Sequence, residues 1–424
     1  MTRFTGLIGI VLILGIAFLL SNNRKAINLR LVSVGLLLQL VMAVFILKIP
    51  FGQMIFQKFG HFITQILSFS DRGAEFVFGA LVNKEKMDRA FGVGNDVIFF
   101  FKIVPTIIFV AVLVNIAYHI GLMQRVVAVM ARGVHKLMGV SGSEAVSNVA
   151  SVFVGQVEAQ LMIKPYLKTM TNSELLASMA GSMACIAGGV MAVYIALGVP
   201  AEYLIAASIM AAPGALVISK IVFPETEVSE TKGKVALEVK KQDANLVDAI
   251  SHGASDGLRV GLNVVAMLIG FIALIALVDY FLGYLGGFLA GLGLSLDAVG
   301  IPLEHLSLKS ILGSVFSLFA WAMGVPAKDM FAAGSLMGTK IVVNEFVAYL
   351  DLTALKGTLE PKTLLITSFA LCGFANFSSI AIQVGGISQL VPERRQDLAK
   401  LGLKALTCGT LASYLSATLA GILM

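Results

Sequence analysis

The stretch 338–349 reads GTKIVVNEFVAY and places two ionisable residues, Lys340 and Glu345, among apolar neighbours. An ionisable group at the centre of a membrane span costs at least ~2.5–3.5 kcal/mol, so a residue of this kind points to a function. The wider region 309–351 is apolar overall, but its glycines and polar residues make a plain span a poor interpretation. We therefore predict a re-entrant hairpin, which enters and leaves the membrane on the same side.

A similar stretch lies in the first half of the chain. Residues 154–159 read VGQVEA where residues 343–348 read VNEFVA, and the region 141–170 is again a candidate hairpin. About 30 residues after each motif, an apolar segment is interrupted by small residues, at 184–189 and at 372–376. Two hairpins and two broken helices predict inverted repeats whose breaks meet near the middle of the membrane.

The composition of the whole chain is that of a membrane protein. Of its 424 residues, 58% are hydrophobic and 13% are charged, whereas soluble domains have roughly 45–50% and 25%. Long apolar runs form membrane-spanning helices, because a helix satisfies its own backbone hydrogen bonds in lipid. The net charge of +6 lies mostly in short loops, so it indicates orientation in the lipid bilayer rather than nucleic-acid binding.

We expect an all-α polytopic membrane protein with eight spans, two re-entrant hairpins in inverted repeats, broken helices and interfacial helices. The eight spans are predicted at 6–20, 31–49, 96–121, 174–198, 202–223, 262–283, 362–384 and 400–423. Segments 51–94 and 124–140 mix charges with apolar residues and are predicted to lie on the membrane surface. The hydrophilic stretch 224–247 is predicted to be an exposed linker between the halves.

These elements divide the chain into five parts. The predicted parts are N-terminal scaffold spans (1–123), a first repeat (124–223), the linker (224–247), a scaffold span with connecting helices (248–308) and a second repeat (309–424). Basic residues follow the first and third spans and precede the last one. If they face the cytoplasm, both termini of a protein in the cell inner membrane are periplasmic.

Polar residues inside the predicted hairpins and breaks are the candidate binding groups. They are Gln156, Glu158, Asn344, Glu345, Asn376, Ser378 and Ser379. Carboxylates accept hydrogen bonds from hydroxyl and amino groups, and amides both donate and accept. This set suits a neutral solute rich in hydroxyls and ring nitrogens. Two alternatives stay open: Lys340 either neutralises a carboxylate or binds the ligand, and Glu158 either binds the ligand or pairs with Lys164.

At these residues the sequence resembles the concentrative nucleoside transporter family, as a bacterial member. The similarity rests on the ungapped signature in 338–349 and on CGFANFSSI at 372–380. In the first half it rests on GQVEA at 155–159 and on the break IAGG at 186–189. It extends over essentially the whole length of the chain.

The resemblance implies an eight-span protomer, a homotrimer and an elevator-like movement of a transport domain against a fixed scaffold. It implies that Gln156, Val157 and Glu158 face the nucleobase, that Glu345, Asn376 and Ser379 bind the ribose, and that Val190 and Phe374 line the pocket. It also places a sodium ion, as the coupling ion, around Ser151, Val154, Cys185 and Ile186.

Two features depart from the family pattern. Where the family has Thr or Ser and then Pro, this chain has Val157 and Gln160. Where the family's cation site carries Asn and Ser, this chain has Ser151 and Cys185. Sodium prefers hard oxygen ligands and a thiol is a poor one, so proton coupling stays open beside sodium coupling.

The function we expect is cation-coupled symport of nucleosides such as uridine or adenosine into the cell. An uncoupled nucleoside facilitator is the alternative, although paired hairpins around a closed site argue against an open pore. An intramembrane enzyme is disfavoured, because no nucleophile–base pair or metal cluster accompanies the two glutamates. We expect no organic cofactor.

Overall fold

The computed structural model of the chain describes residues 2–91, 98–233, 243–294, 301 and 303–424. Within these ranges the chain is built from helices, numbered α1 to α18 in chain order. Parts of the predicted linker 224–247 and of the predicted segment 248–308 lie outside the described residues.

Five helices precede the first repeat. They are α1 Thr2–Leu19, α2 Leu29–Leu47, α3 Pro50–Phe78, α4 Lys84–Phe91 and α5 Phe99–His119. Helices α1, α2 and α5 match the first three predicted spans, and α3 and α4 lie in the segment 51–94 predicted to be interfacial; residues 92–97 lie outside the described residues. Phe62 and Phe76 of α3 are exposed, which suits a helix that lies against lipid.

The first repeat contains six helices. They are α6 Leu122–Met138, α7 Gly142–Ala150, α8 Glu158–Leu161, α9 Asn172–Ala184, α10 Gly188–Ala196 and α11 Ala201–Val222. Helices α9 and α10 are the two parts of the broken span, separated by residues 185–187. Capping boxes fix the starts of α7 and α9: the Glu144 carboxylate accepts from Ser141 N, and the Glu174 carboxylate accepts from Thr171 N, each at 2.9 Å.

A single long helix, α12 Leu246–Gly291, joins the two repeats and has 46 residues. The span predicted at 262–283 is only its middle part, because hydropathy marks the apolar centre of a helix and not its ends. Gly253, Gly257 and Gly261 pack against α5 so closely that a Cβ at any of them would lie within 3.0 Å of an α5 atom. These small residues let the two helices approach each other along one face.

The second repeat again contains six helices. They are α13 Leu308–Ala322, α14 Met330–Val342, α15 Glu345–Leu355, α16 Pro361–Leu371, α17 Phe377–Leu390 and α18 Arg395–Leu423. The hairpin predicted over 309–351 is shorter in the structure: α14 and α15 form it, and α13 is a separate helix that matches α6 in order. Gly324, with a φ of 99°, lies in the turn that ends α13.

Each hairpin returns to the end at which it begins. At the start of the first hairpin, Ser143 Oγ lies 3.4 Å from Glu174 Oε1 at the start of α9. At the start of the second, Asp329 Oδ2 accepts a hydrogen bond from Thr363 Oγ1 of α16 at 2.6 Å. Since α9 and α16 follow the returning arms, both segments are re-entrant, as the sequence predicts.

The two repeats run in opposite directions along α18. Near the start of α18, Arg394 Nη1 donates to Met170 O at 2.6 Å, just before α9. Near its end, Gly421 packs against Ile366 of α16. The broken helices α9–α10 and α16–α17 therefore begin at opposite ends of α18, which is the arrangement of inverted repeats.

The helices differ sharply in burial. In its most apolar window, 94% of α11 is buried inside the protein, against 11% of α12, so α12 faces the surroundings and α11 lies in the core. By length and composition, six helical segments of the described residues are able to cross a membrane, and α1 and α13 are shorter apolar helices. The predicted span 362–384 is not among the six, because the interruption at residues 372–376 divides it into α16 with 11 residues and α17 with 14.

Candidate functional site

Glu345 is the first residue of α15, and its side chain is buried at the tip of the second hairpin. Its Oε1 accepts a hydrogen bond from Tyr194 Oη of α10, and its Oε2 accepts one from Asn376 Nδ2, both at 3.0 Å. Asn344 caps α15, with its Oδ1 accepting from Val347 N at 2.9 Å. Because a carboxylate has about four lone-pair sites, Glu345 keeps acceptor capacity for a bound hydroxyl.

The start of α17 supplies the next polar groups. Asn376 caps this helix: its Oδ1 accepts from Ser379 N at 2.9 Å and from Ser378 Oγ at 2.7 Å. Ser378 is thus engaged locally, whereas Ser379 Oγ lies 3.4 Å from Gln156 Nε2 of the first hairpin. The cap fixes Asn376 so that its amide group points at Glu345.

Gln156 brings the first hairpin to the same place. Its side chain is buried, its Nε2 faces Ser379 Oγ, and its Oε1 accepts from Gln383 Nε2 of α17 at 3.4 Å. Gln383 Nε2 also donates to Met179 O at 3.1 Å. The two 3.4 Å contacts lie beyond the usual range of protein hydrogen bonds. A ligand that bonds to Gln156 therefore displaces only weak contacts.

Glu158, the first residue of α8, differs from Glu345 because its side chain is exposed. Its carboxylate folds against Gly155 and lies within electrostatic reach of Tyr118 in α5. Among the described residues it forms no ion pair with Lys164. Its remaining acceptor sites are open to a ligand.

The other predicted pocket residues lie around these groups. Val157 packs against Gly386 of α17, where an added Cβ would collide with the valine methyls. Val190 in α10 and Phe374 in the break before α17 are both half-buried. The structure thus brings Gln156, Glu345, Asn376 and Ser379 together, and it directs the Val157 side chain toward α17.

The residues predicted for sodium lie near the first hairpin tip and the break of α9. Ser151 Oγ donates to Ser147 O at 2.7 Å and lies 2.9 Å from Ser182 Oγ. The tip is bonded to the start of α10, because Gly188 N donates to Phe153 O at 3.0 Å.

Three further residues complete that set. Val154 and Ile186 are buried beside the tip and in the break. The Cys185 thiol points at α11, with its Sγ 3.7 Å from Ser208 O, and the Cys185 carbonyl accepts from Phe374 N at 3.3 Å. Oxygen atoms at this place therefore come from the backbone and from serine hydroxyls, and not from the residue 185 side chain.

Gln160, at the position where the family pattern has proline, bonds the first hairpin to α9. It is fully buried, its Oε1 accepts from Ser178 Oγ at 2.6 Å, and its Nε2 donates to Ser182 Oγ at 2.8 Å. These bonds attach the returning arm of the first hairpin to α9.

Two residues that hold the site are absent from the sequence prediction. Gln383 follows Asn376 and Ser379 at positions i+7 and i+4 of one helix, so it shares their face, and this spacing is a usable signal. Tyr194 lies four residues after Val190, on the same face of α10. A tyrosine in an apolar helix needs a partner for its hydroxyl, and here the partner is Glu345.

The arrangement defines a class of protein: a polytopic membrane transporter built from inverted repeats, with a buried polar site where two hairpins meet two broken helices. Three family descriptions match the chain. They are "Na+ dependent nucleoside transporter C-terminus" at 203–421, "Na+ dependent nucleoside transporter N-terminus" at 8–81 and "Nucleoside recognition" at 100–201. This chain belongs to the concentrative nucleoside transporter family.

Similarity to individual proteins supports the same family. The chain is 37% identical to the nucleoside permease NupC of Helicobacter pylori, covering 98% of this chain and 96% of that protein. It is 37% identical to the mouse sodium/nucleoside cotransporter 1, covering 98% of this chain and 63% of that protein. A solved structure, CNTnw in an inward-facing substrate-bound state, is 40% identical, covers 100% of this chain and 98% of that one, and has a TM-score of 0.91.

Proposed function

We propose that this nucleoside transporter imports its substrates across the cell inner membrane by symport with a cation, and that the cation is sodium. The observation that carries the proposal is the buried Glu345 carboxylate, held between Tyr194 and Asn376 where both repeats meet. A buried carboxylate with free acceptor sites is matched by a neutral ligand with paired hydroxyls.

The ribose binds at the second hairpin in this proposal. Glu345 accepts hydrogen bonds from ribose hydroxyls, Asn376 donates to a ribose oxygen, and Ser379 Oγ bonds to a third position. Asn376 and Ser379 are held by the helix cap at the start of α17, so these groups are oriented before the ligand arrives. Orientation in advance reduces the entropy lost on binding.

The nucleobase lies toward the first hairpin, where Gln156 and Glu158 supply an amide and a carboxylate. Both groups bind ring nitrogens and exocyclic substituents, and Val190 and Phe374 flank the base with apolar surface. The Val157 side chain lies against Gly386, so residue 157 acts on the base through the shape of the hairpin tip.

Sodium fits the oxygen atoms around the first hairpin tip and the α9 break. We place it near Ser151, Val154, Cys185 and Ile186, with the backbone carbonyls and the Ser151 hydroxyl as donors. Hard oxygen ligands are those that an alkali or alkaline-earth cation prefers. The family description and the mouse cotransporter both name sodium, and they support this choice.

Proton coupling is the second candidate, and one observation favours it. The Ser151 hydroxyl is already bonded to Ser147 O and lies beside Ser182 Oγ, and the Cys185 thiol faces α11. The site therefore offers an incoming sodium ion fewer side-chain donors than a site with two free polar side chains.

Transport itself is proposed to follow an elevator movement within a homotrimer. The buried helices α11 and α18, together with the hairpins and broken helices, form the moving body, and α5 with α12 forms the fixed scaffold. The large difference in burial between α11 and α12 supports this division. Both termini are proposed to be periplasmic.

Uptake into proteoliposomes tests the proposal. Radiolabelled uridine and adenosine are offered under an inward sodium gradient at equal pH, and then under a proton gradient without sodium. One charge moving down ~100 mV releases ~2.3 kcal/mol, which supports an accumulation of about 40-fold. Accumulation driven by sodium supports the proposal, accumulation driven only by protons selects the second candidate, and equilibration without accumulation identifies a facilitator.

A further inference from the structure

Lys340 of α14 is fully buried and carries a charge that none of the proposed ligand contacts uses. Its ammonium donates to Ala370 O at 2.8 Å and to Cys372 O at 3.4 Å, at the C-terminal end of α16. The carbonyl groups at this end of a helix have no intrahelical partner and carry partial negative charge. A cation therefore lies where the break of the second repeat begins.

The internal repeat gives this position a counterpart. When VGQVEA at 154–159 is aligned with VNEFVA at 343–348, Lys340 corresponds to Ser151. The residues that end the first parts of the broken helices also correspond, because Cys185 is the C-cap of α9 and Cys372 is the C-cap of α16. Lys340 thus corresponds to Ser151 by the sequence alignment, and Cys372 corresponds to Cys185 by its place at the end of a helix.

The two places are also joined in space. Phe374 N, two residues after Cys372, donates to Cys185 O at 3.3 Å, so the two breaks touch. Gly373, with a φ of 120°, lies so close to Ala184 O that an added Cβ would be 2.6 Å from it. At the corresponding positions, the first repeat has the Ser151 hydroxyl and the second has the Lys340 ammonium.

We propose that the Lys340 ammonium is a tethered cation, which occupies in the second repeat the position that the coupling cation occupies in the first. The inference rests on the proposed cation site of the first repeat. Lys340 is a positioning residue: its ammonium holds the end of α16 through Ala370 O, and six residues later Asn376 caps α17 and bonds to Glu345. The ribose end of the site is therefore organised without an external ion, whereas the first repeat needs a bound cation.

The test compares three variants by calorimetric binding of uridine to purified protein at constant ionic strength set with choline. Lys340→Ser copies the residue of the first repeat and leaves space for a small cation. Lys340→Met removes the charge but fills the space. Lys356→Met is the matched control, because Lys356 Nζ also donates to a carbonyl after a helix end, Gly198 O at 2.9 Å, but is exposed.

For Lys340→Ser we expect uridine affinity at least ~10-fold below wild type in choline, the size of a lost charge-assisted contact. Added sodium or methylammonium should restore most of it, through a cation step beyond the one seen in wild type. Lys340→Met should lose affinity to a similar extent without recovery by a cation, and the thermal unfolding temperature should fall in both Lys340 variants, because each leaves Ala370 O without the ammonium that donates to it. Lys356→Met should match wild type.

Several results would overturn the inference. Equal affinity in Lys340→Ser and wild type would do so, and so would a loss that no small cation reverses. Failure of both Lys340 variants to fold would make Lys340 a structural residue instead. If wild type binds no uridine even when sodium is present, the proposed function fails first, and that result is distinct from a failure of the tethered cation.

Discussion

The two hairpin tips begin alike in sequence and differ in chemistry. Each presents a glutamate at the start of a short helix, but the Glu345 side chain is buried between Tyr194 and Asn376, whereas the Glu158 side chain is exposed. At the second tip, one partner of the carboxylate lies within helix α10 and the other caps helix α17. At the first tip, the carboxylate is exposed. In the proposed binding mode, this difference suits ligands that share a sugar, bound at the second tip, and vary in base, bound at the first.

The hairpins are also anchored differently. Gln160 attaches the first to α9, and Tyr349 attaches the second to α16 by donating to Ser368 O at 2.7 Å; the second has the Lys340 ammonium as an additional, charged anchor. In the proposed arrangement, an external cation binds at the first hairpin, and the Lys340 ammonium takes the corresponding place at the second. Four substitutions test how far the two tips differ, and the largest effect is expected at the buried one.

Glu345→Gln should weaken the binding of both uridine and adenosine by about 10–150-fold, since a hydrogen bond to a charged group contributes ~1.5–3 kcal/mol. The ratio of the two affinities should stay the same, because the ribose is common to both. Calorimetry on purified protein measures both values. Glu360→Gln, which alters an exposed carboxylate of the same repeat paired with Lys328, is the control. Unchanged affinity in Glu345→Gln would remove Glu345 from the ribose site.

Glu158→Gln should cost less, about 2–12-fold, because an exposed acceptor competes with water and contributes ~0.5–1.5 kcal/mol. Its effect should differ between uridine and adenosine, which present different edges to the first hairpin. Competition binding against labelled uridine measures the two values. A loss that exceeds that of Glu345→Gln, or one equal for both nucleosides, would reverse the comparison of the two tips.

Val157→Thr should change the ratio of uridine to adenosine affinity by less than about twofold. A hydroxyl that faced the base would contribute ~0.5–1.5 kcal/mol and shift the ratio by about 2–12-fold. In the structure this side chain lies on Gly386 instead. The same competition assay decides the point. A shift of several-fold would show that residue 157 reaches the base when a nucleoside is bound.

Cys185→Ser should leave the dependence of uptake on sodium concentration unchanged, with a shift below about twofold. The thiol points at Ser208 O of α11, and a serine hydroxyl makes a similar bond there. Uptake into proteoliposomes over a range of sodium concentrations measures the effect. A clearly lower half-saturating sodium concentration in the variant would mean that the residue 185 side chain faces the ion.

Much of this architecture follows from sequence. The two motifs, the two interruptions at 184–189 and 372–376 and the sign of the flanking charges are enough to predict inverted repeats with hairpins, and the structure confirms that fold. Gln156, Glu345, Asn376 and Ser379 are the predicted polar residues that come together. They are predictable because polarity inside an apolar segment is costly and rare.

Other features depend on geometry that the sequence does not express. Hydropathy does not predict where α12 begins and ends, because amphipathic turns extend the helix beyond its apolar centre. The direction of the Cys185 side chain depends on how the chain leaves α9 at a break, where helical periodicity stops. The hydrogen bonds of Gln160 to Ser178 and Ser182 join residues about 20 apart in the sequence. No sequence pattern near Gln160 predicts them.

The length of α12 has a consequence for the membrane in which the protein works. At 1.5 Å per residue its 46 residues extend about 69 Å, more than twice the ~30 Å hydrocarbon thickness of a typical bilayer. A helix of this length either lies strongly inclined or reaches well beyond the hydrocarbon, and its inclination responds to the thickness of the lipid around it. Reconstitution in lipids of graded acyl-chain length should therefore alter the transport rate while equilibrium binding in detergent stays the same, so we expect bilayer thickness to set the rate of transport.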